Sequence, residues 1–125
     1  MIVGIGTDIC EVSRIKRALD RQVKFAQRIL TSSEQALCFQ KKEPFRYLAS
    51  RFAAKEAVLK ALGTGLAKGI SWHDIEVSNL ESGQPVVELT GGALNVAEQR
   101  SVSSIHLSIS DEKEYVVGFV VLESS

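Results

Sequence analysis

Asp8 is the first charged side chain in the 125-residue chain, and it follows the small and apolar run Met1-Ile-Val-Gly-Ile-Gly-Thr. Ile2, Val3 and Ile5 read as a short buried strand that Gly4, Gly6 and Thr7 break off. Asp8 is therefore expected at or just beyond the strand's carboxyl end, a place where ligand-handling groups often sit. The second carboxylate of interest is Glu56, within Arg51-Phe-Ala-Ala-Lys-Glu-Ala-Val-Leu-Lys-Ala-Leu-Gly-Thr-Gly65. At about 100° per residue, Leu48, Phe52, Leu59 and Leu62 form an apolar helical stripe with Glu56 at its edge. A carboxylate there needs a partner. Lys60, four residues on, gives the favourable orientation for a surface pair that stabilises a helix by about 0.2–0.5 kcal/mol. The alternative partner is a cation shared with Asp8, and the pattern alone favours the surface pair. Gly63-Thr64-Gly65 also has two readings: a helix C-cap with a turn, or backbone N–H groups brought close to a phosphate.

Other reactive side chains carry less. His73 beside Trp72, and His106 on the polar face of an alternating stretch, read as surface or structural residues. Cys10 and Cys38 have no His or Cys at zinc-site spacing and read as reduced thiols of a cytoplasmic protein, with no assigned chemistry. Fifteen basic and fifteen acidic side chains cancel, which argues against a general binder of nucleic acid or other polyanions. Locally they do not cancel. Arg14, Lys16, Arg17, Arg21, Lys24 and Arg28 face the single acid Asp20 in the same stretch. Such a run is either a solvated helix face or a docking surface for an acidic partner.

These groups must be positioned by a chain that is 45% hydrophobic and 24% charged, enough to bury one core without staples and so expected to form one domain over residues 1–125. No basic leader or long apolar run precedes Asp8, so neither a signal peptide nor a membrane anchor is expected. From Ser13, read as an N-cap, Ile15, Leu19, Val23, Ala26, Ile29 and Leu30 recur at helical spacing and predict one helix or two short ones. Thr31 with Glu34 matches a capping box that opens another helix. A long helix is predicted from about Phe45 to Leu62, ending at Gly63. Ile75 and Val77 alternate, Glu81-Ser-Gly-Gln-Pro85 supplies a turn, and Val86, Val87 and Leu89 complete a hairpin. A short helix with Ala93, Leu94, Val96 and Ala97 inward follows. Ile105, Leu107 and Ile109 then alternate, and Tyr115–Leu122, apolar on both faces, reads as a central strand. The order of elements predicts an α+β fold, with the long helix packed on a largely antiparallel sheet.

Three separated segments carry a resemblance: Gly4-Ile-Gly-Thr-Asp-Ile9, Arg51-Phe-Ala-Ala-Lys-Glu-Ala57 with Lys60-Ala-Leu-Gly-Thr-Gly65, and Leu107-Ser-Ile-Ser-Asp-Glu112 followed by Tyr115. In order, spacing and total length they resemble the holo-[acyl-carrier-protein] synthase family of 4'-phosphopantetheinyl transferases, over nearly the whole chain. The resemblance implies the fold of that family and a homotrimer with active sites between neighbouring subunits. It also implies transfer of the phosphopantetheine arm of coenzyme A to a serine of an acyl carrier protein, for fatty-acid synthesis, with release of adenosine 3',5'-bisphosphate. Asp8 and Glu56 would hold Mg²⁺, which prefers six hard oxygen ligands and takes only one or two protein carboxylates.

By the same resemblance Arg51, Lys55 and Lys60 would contact coenzyme A phosphates, and Gly63, Thr64 and Gly65 its nucleotide half. Pro85, Ser110 and Asp111 would complete that site. Lys55 also falls near the apolar stripe and has an equal reading as a structural lysine. Gln84 stands where the family often has Lys, and Asp111 where it often has His. Glu56 and Lys60 would be the catalytic pair, with a metal-bound water or Glu56 taking the serine proton. Arg14 and Arg21, with Arg28 as a third, would dock the acidic helix of the carrier. Two rival readings are a non-catalytic module using the basic helix to bind acidic protein or RNA, and another Mg²⁺-dependent phosphoryl enzyme such as a phosphatase or nuclease.

Overall fold

The computed structural model describes residues 1–125. Strand β1 (Ile2–Glu11) opens the chain, followed by α1 (Val12–Arg21), α2 (Lys24–Ile29), α3 (Ser32–Cys38) and the long α4 (Pro44–Leu62). A single 3₁₀ turn (Trp72–Asp74) leads into the hairpin β2 (Ile75–Asn79) and β3 (Pro85–Leu89), then α5 (Gly91–Gln99), β4 (Ser104–Asp111) and β5 (Tyr115–Glu123). The expected α+β architecture is present, with antiparallel pairing throughout. It is divided between a three-stranded sheet of order β1-β5-β4 and the separate β2-β3 ribbon. Tyr115–Leu122 is indeed the central strand. No helix is long and apolar enough to cross a membrane.

Local signals explain most of the boundaries. The Thr31 side chain accepts from the Glu34 N–H while the Glu34 carboxylate accepts from the Thr31 N–H, the reciprocal pair of a capping box. Pro44 begins α4, where a missing N–H costs nothing. Gly63 ends it in the left-handed region, φ +81°, where a side chain would be strained. Of the two expected alternatives the basic stretch forms the two short helices, and Glu11, not Ser13, takes the N-cap position of the first, without a side-chain hydrogen bond. Within α1, Val12, Ile15 and Leu19 are buried at spacings of three and four, which leaves its cations on the outer face. In α5, Leu94 is exposed while Ala93, Val96 and Ala97 face inward.

Gly4 and Gly6 do not end β1; the strand runs on to Glu11, and Asp8 sits in its interior opposite Gly118 of β5. The glycines are there because α4 lies directly against the strand. A methyl at Gly118 would stand 2.7 Å from the Ala53 carbonyl oxygen, and methyls at Gly4 and Gly6 would stand closer still to the carbonyls of Ala61 and Ala57. Three glycines on the sheet thus meet three alanines spaced four apart on one stripe of the helix, bringing backbone onto backbone. Ile5 and Ile9 alternate with the helix-facing positions and are exposed on the opposite face of the sheet, and Ile2, ahead of a register shift between Ile2 and Gly4, is exposed as well, contrary to the burial expected of Ile2 and Ile5.

Candidate active site

Asp8 continues the Gly4, Gly6 alternation and therefore projects toward α4, two residues beyond Gly6. Glu56 and Lys60 rise from that helix one turn apart. Close approach of strand and helix is what assembles the three side chains. Lys60 Nζ donates to the Thr7 carbonyl at 2.9 Å and to Asp8 Oδ1 at 3.2 Å. Lys60 thus reaches across to the strand, and the surface pair with Glu56 favoured by the pattern does not form. Glu56 has no ion-pair partner in the chain. Burial pushes its carboxyl above the ordinary range, the negative charge of Asp8 pushes it further, and the field of Lys60 partly offsets both. Cys10 is buried beside this group. Burial chiefly, opposed by Arg14 and reinforced by Asp8, Glu11 and Glu56, pushes its thiol up to about 11, so it is an inert neighbour.

Two hard-oxygen carboxylates with an excess of negative charge between them fit a small divalent cation such as Mg²⁺, which needs only one or two protein ligands. No group of three or more His, Cys, Asp or Glu side chains is placed to hold a metal ion, so a cation at this pair would draw its remaining ligands from outside the chain.

Lys55 is elsewhere. Its side chain is fully buried, and Nζ donates to Glu34 Oε1 at 2.6 Å, to the Ile29 carbonyl at 2.7 Å and to the Trp72 carbonyl at 3.4 Å. Glu34 in turn accepts from the Val77 N–H at 2.7 Å. Burial pulls the ammonium's pKa down while the Glu34 carboxylate opposes that pull. The expected phosphate contact from Lys55 is corrected: the residue is a structural cation joining α2, α3, α4 and β2, with no surface left for a coenzyme.

The remaining coenzyme A candidates fall into two groups. Gly63, Thr64 and Gly65 follow the end of α4, one turn beyond Lys60. Arg100 secures this end by donating to the Ala61 carbonyl at 2.9 Å, the Leu62 carbonyl at 2.7 Å and the Val3 carbonyl of β1. The second group lies toward the start of α4. Arg51 is buried, donates to Asn79 Oδ1 at 2.5 Å and stacks on the Tyr47 ring at 4.4 Å. Asn79 pairs with Pro85 across the hairpin. Arg51 has no carboxylate partner, and its Nε and the Tyr47 hydroxyl are both buried without one. Asp111 and Tyr47 line a common cavity of about 340 Å³ with Lys41, Lys42 and Arg46, and Ser110 precedes Asp111 at the end of β4. Along α4, Ser50 and Gly63 are separated by about 20 Å, and β5 lies between Asp8 and β4. One chain does not bring the two groups together.

Arg14 and Arg21 lie on the outer face of α1 and Arg28 on α2, all exposed. Of the six cations in that stretch only Arg17 has a carboxylate, Glu11 at 3.8 Å, and Lys16 lies over the Phe45 ring instead. The positive charge of Arg14 acts on the Cys10 thiol, two residues beyond Asp8 in β1. His73 Nε2 contacts the Gln27 carbonyl and His106 Nε2 contacts Glu123, each away from the carboxylate pair. Sequence reasoning missed Arg100 and the buried role of Glu34. Nothing marks Arg100 in the sequence, whereas Glu34 was visible as a capping-box residue and Lys55 as a charge near an apolar stripe.

Comparison with known proteins gives one consistent result. A family model described as the 4'-phosphopantetheinyl transferase superfamily matches residues 4–120. The holo-[acyl-carrier-protein] synthase of Vibrio parahaemolyticus is 55% identical over 124 residues, 98% of each chain. Among solved structures, the holo-[acyl-carrier-protein] synthase of Neisseria meningitidis is 41% identical with a TM-score of 0.92, covering 99% of this chain and 100% of its own. The Bacillus anthracis protein in complex with CoA (3',5'-ADP) is 45% identical with a TM-score of 0.85, covering 100% and 99%.

Proposed function

The chain belongs to the 4'-phosphopantetheinyl transferase superfamily, and from that premise we propose that Asp8 and Glu56 hold Mg²⁺ beside the pyrophosphate of coenzyme A. It is an enzyme of the holo-[acyl-carrier-protein] synthase type: the carrier's serine hydroxyl attacks the pantetheine-side phosphorus of coenzyme A, and adenosine 3',5'-bisphosphate leaves. The observation that carries the site assignment is the Asp8–Glu56 pair, two coupled carboxylates served by a single lysine. When bound, Mg²⁺ supplies neutralisation of charge on the phosphate oxygens. Glu56, whose carboxyl burial and the Asp8 charge push above the ordinary range, is the group assigned to accept the serine proton. Lys60 supplies a cation for the phosphates, and Gly63–Gly65, just beyond the helix end that Arg100 holds through the Ala61 and Leu62 carbonyls, offers backbone close to the nucleotide.

Arg51, Pro85, Ser110 and Asp111 belong to the same coenzyme site in this reading only if a neighbouring copy brings them to Asp8. A homotrimer with shared sites does so, and the outer face of the sheet supports it. Ile5 and Ile9 are 63% and 65% exposed there and Phe119 45%, an apolar patch of the kind that marks an interface. Arg14, Arg21 and Arg28 dock the acidic carrier, supported by their exposure and their lack of carboxylate partners. The two unpaired cysteines suit a cytoplasmic enzyme, and the carrier is that of fatty-acid synthesis.

The site assignment is tested by titrating coenzyme A with and without Mg²⁺. The metal should tighten binding at least about tenfold in the native enzyme and have no effect in Asp8→Ala or Glu56→Ala, both of which should fold normally because neither removes apolar volume. An undiminished Mg²⁺ effect in both folded variants rules the carboxylate pair out as the metal site.

A further inference from the structure

Lys60 is the only cation paired with either carboxylate of the site. Its ammonium bridges Asp8 Oδ1 and the Thr7 carbonyl, and its field also reaches Glu56. The Asp8 side chain is 16% exposed and that of Lys60 54%, so the lysine reaches a largely covered carboxylate from the solvent side. Beside it opens a cavity of about 320 Å³, lined by Ile5, Gly6, Thr7, Lys60 and Phe119. A flexible four-carbon stem has room to turn there.

These observations assign Lys60 a second role, resting on the reading of Asp8 and Glu56 as metal ligands. We propose that Lys60 is a resident counter-cation for the carboxylate pair. It holds Asp8 oriented until a divalent cation takes its place, and the released ammonium then turns to meet the incoming pyrophosphate. A divalent ion and an ammonium cannot share one carboxylate oxygen at close range without strong repulsion. An ion pair that is half solvated is readily exchanged. The same charge that competes with the metal in the free enzyme therefore favours the phosphate once the metal is in, and metal and coenzyme A bind with positive coupling through Lys60. Linkage makes the coupling reciprocal.

The test uses Mn²⁺ alone as the probe, with free ion counted by electron paramagnetic resonance on the full-length native enzyme and on Lys60→Ala, Lys60→Arg and Asp8→Ala. Removing the competing ammonium should tighten Mn²⁺ binding by about 1.5- to fivefold in Lys60→Ala, the range expected from loss of a solvated ion pair. Lys60→Arg, which keeps the charge, should stay near the native affinity. A coenzyme A titration in the presence of saturating Mn²⁺ should show that Lys60→Ala has lost a comparable share of the metal's enhancement. Mn²⁺ affinity in Lys60→Ala equal to or weaker than native overturns the counter-cation role, as does Lys60→Arg tightening to the same degree as Lys60→Ala. Asp8→Ala should not bind Mn²⁺; if it binds as the native enzyme does, the metal reading itself fails, a result separable from failure of the Lys60 role alone.

Discussion

Glu56 is held in an environment that opposes its own ionisation. Desolvation and the neighbouring Asp8 charge both raise its pKa, and Lys60 offsets only part of the effect. A carboxyl whose pKa is higher in the folded than in the unfolded state binds more protons when folded. Its contribution to stability is therefore greatest below the unfolded value, about 4.3, and falls as pH rises through the raised folded value. Glu56→Gln should accordingly raise the melting temperature of the enzyme in EDTA at pH 7, and the gain should vanish below about pH 4. Solvent screening at this half-buried position limits the gain to about 1 kcal/mol or less, roughly 2–4 °C in a domain of this length. Calorimetry across that pH range checks it, and a variant less stable than native at pH 7 would show that Glu56 is a structural partner instead. At this scale the sequence was informative about which side chains matter and less so about whom they touch. Asp8, Glu56 and Lys60 all stand out from the sequence by type and spacing. The Lys60 contact with Asp8 depends on a strand lying against the helix, which the spacing of four residues between Glu56 and Lys60 cannot show.

The elements explain why that strand lies where it does. Gly4 and Gly6 read in one dimension as strand breakers, but against Ala57 and Ala61 they are the condition for a close sheet–helix contact. Lys55 was similarly ambiguous along the chain. In space, Glu34 and the Ile29 and Trp72 carbonyls occupy its donors, and breaking such a buried pair by removing one partner costs about 3–5 kcal/mol. Boundaries with local chemistry, such as the Thr31 box and Gly63, were legible because the residues that set them are sequence neighbours. For α1 the periodicity gave the buried face directly, and its cationic face is left free. If that face docks an acidic helix, reversing Arg14 and Arg21 to Glu should raise KM for the carrier at least about tenfold, since like charges then meet and steering is lost. KM for coenzyme A should stay within about twofold, and added salt should narrow the gap between native and reversed enzyme. Unchanged carrier KM, or both KM values rising together, would make the face a solvated one.

At the scale of the whole molecule, the proposed coenzyme site is divided in a single chain between the surroundings of Asp8 and those of Arg51 and Asp111, and the sheet carries an exposed apolar face that the proposed trimer would use to join copies. That division could not be read from spacing, since helix length and strand order together keep the halves apart; only the resemblance pointed to a shared site. Light scattering at assay concentration should give three times the mass of the chain, and a fully active monomer would remove the basis for shared sites. The claim that organises all of this is that the chain moves a phosphopantetheine arm onto a carrier protein. The direct measurement is the intact mass of an apo acyl carrier protein after incubation with the enzyme, coenzyme A and Mg²⁺. The carrier should gain the mass of one phosphopantetheine group on its serine in a reaction that EDTA abolishes. A carrier of unchanged mass, with coenzyme A either intact or hydrolysed to free products, would contradict the account.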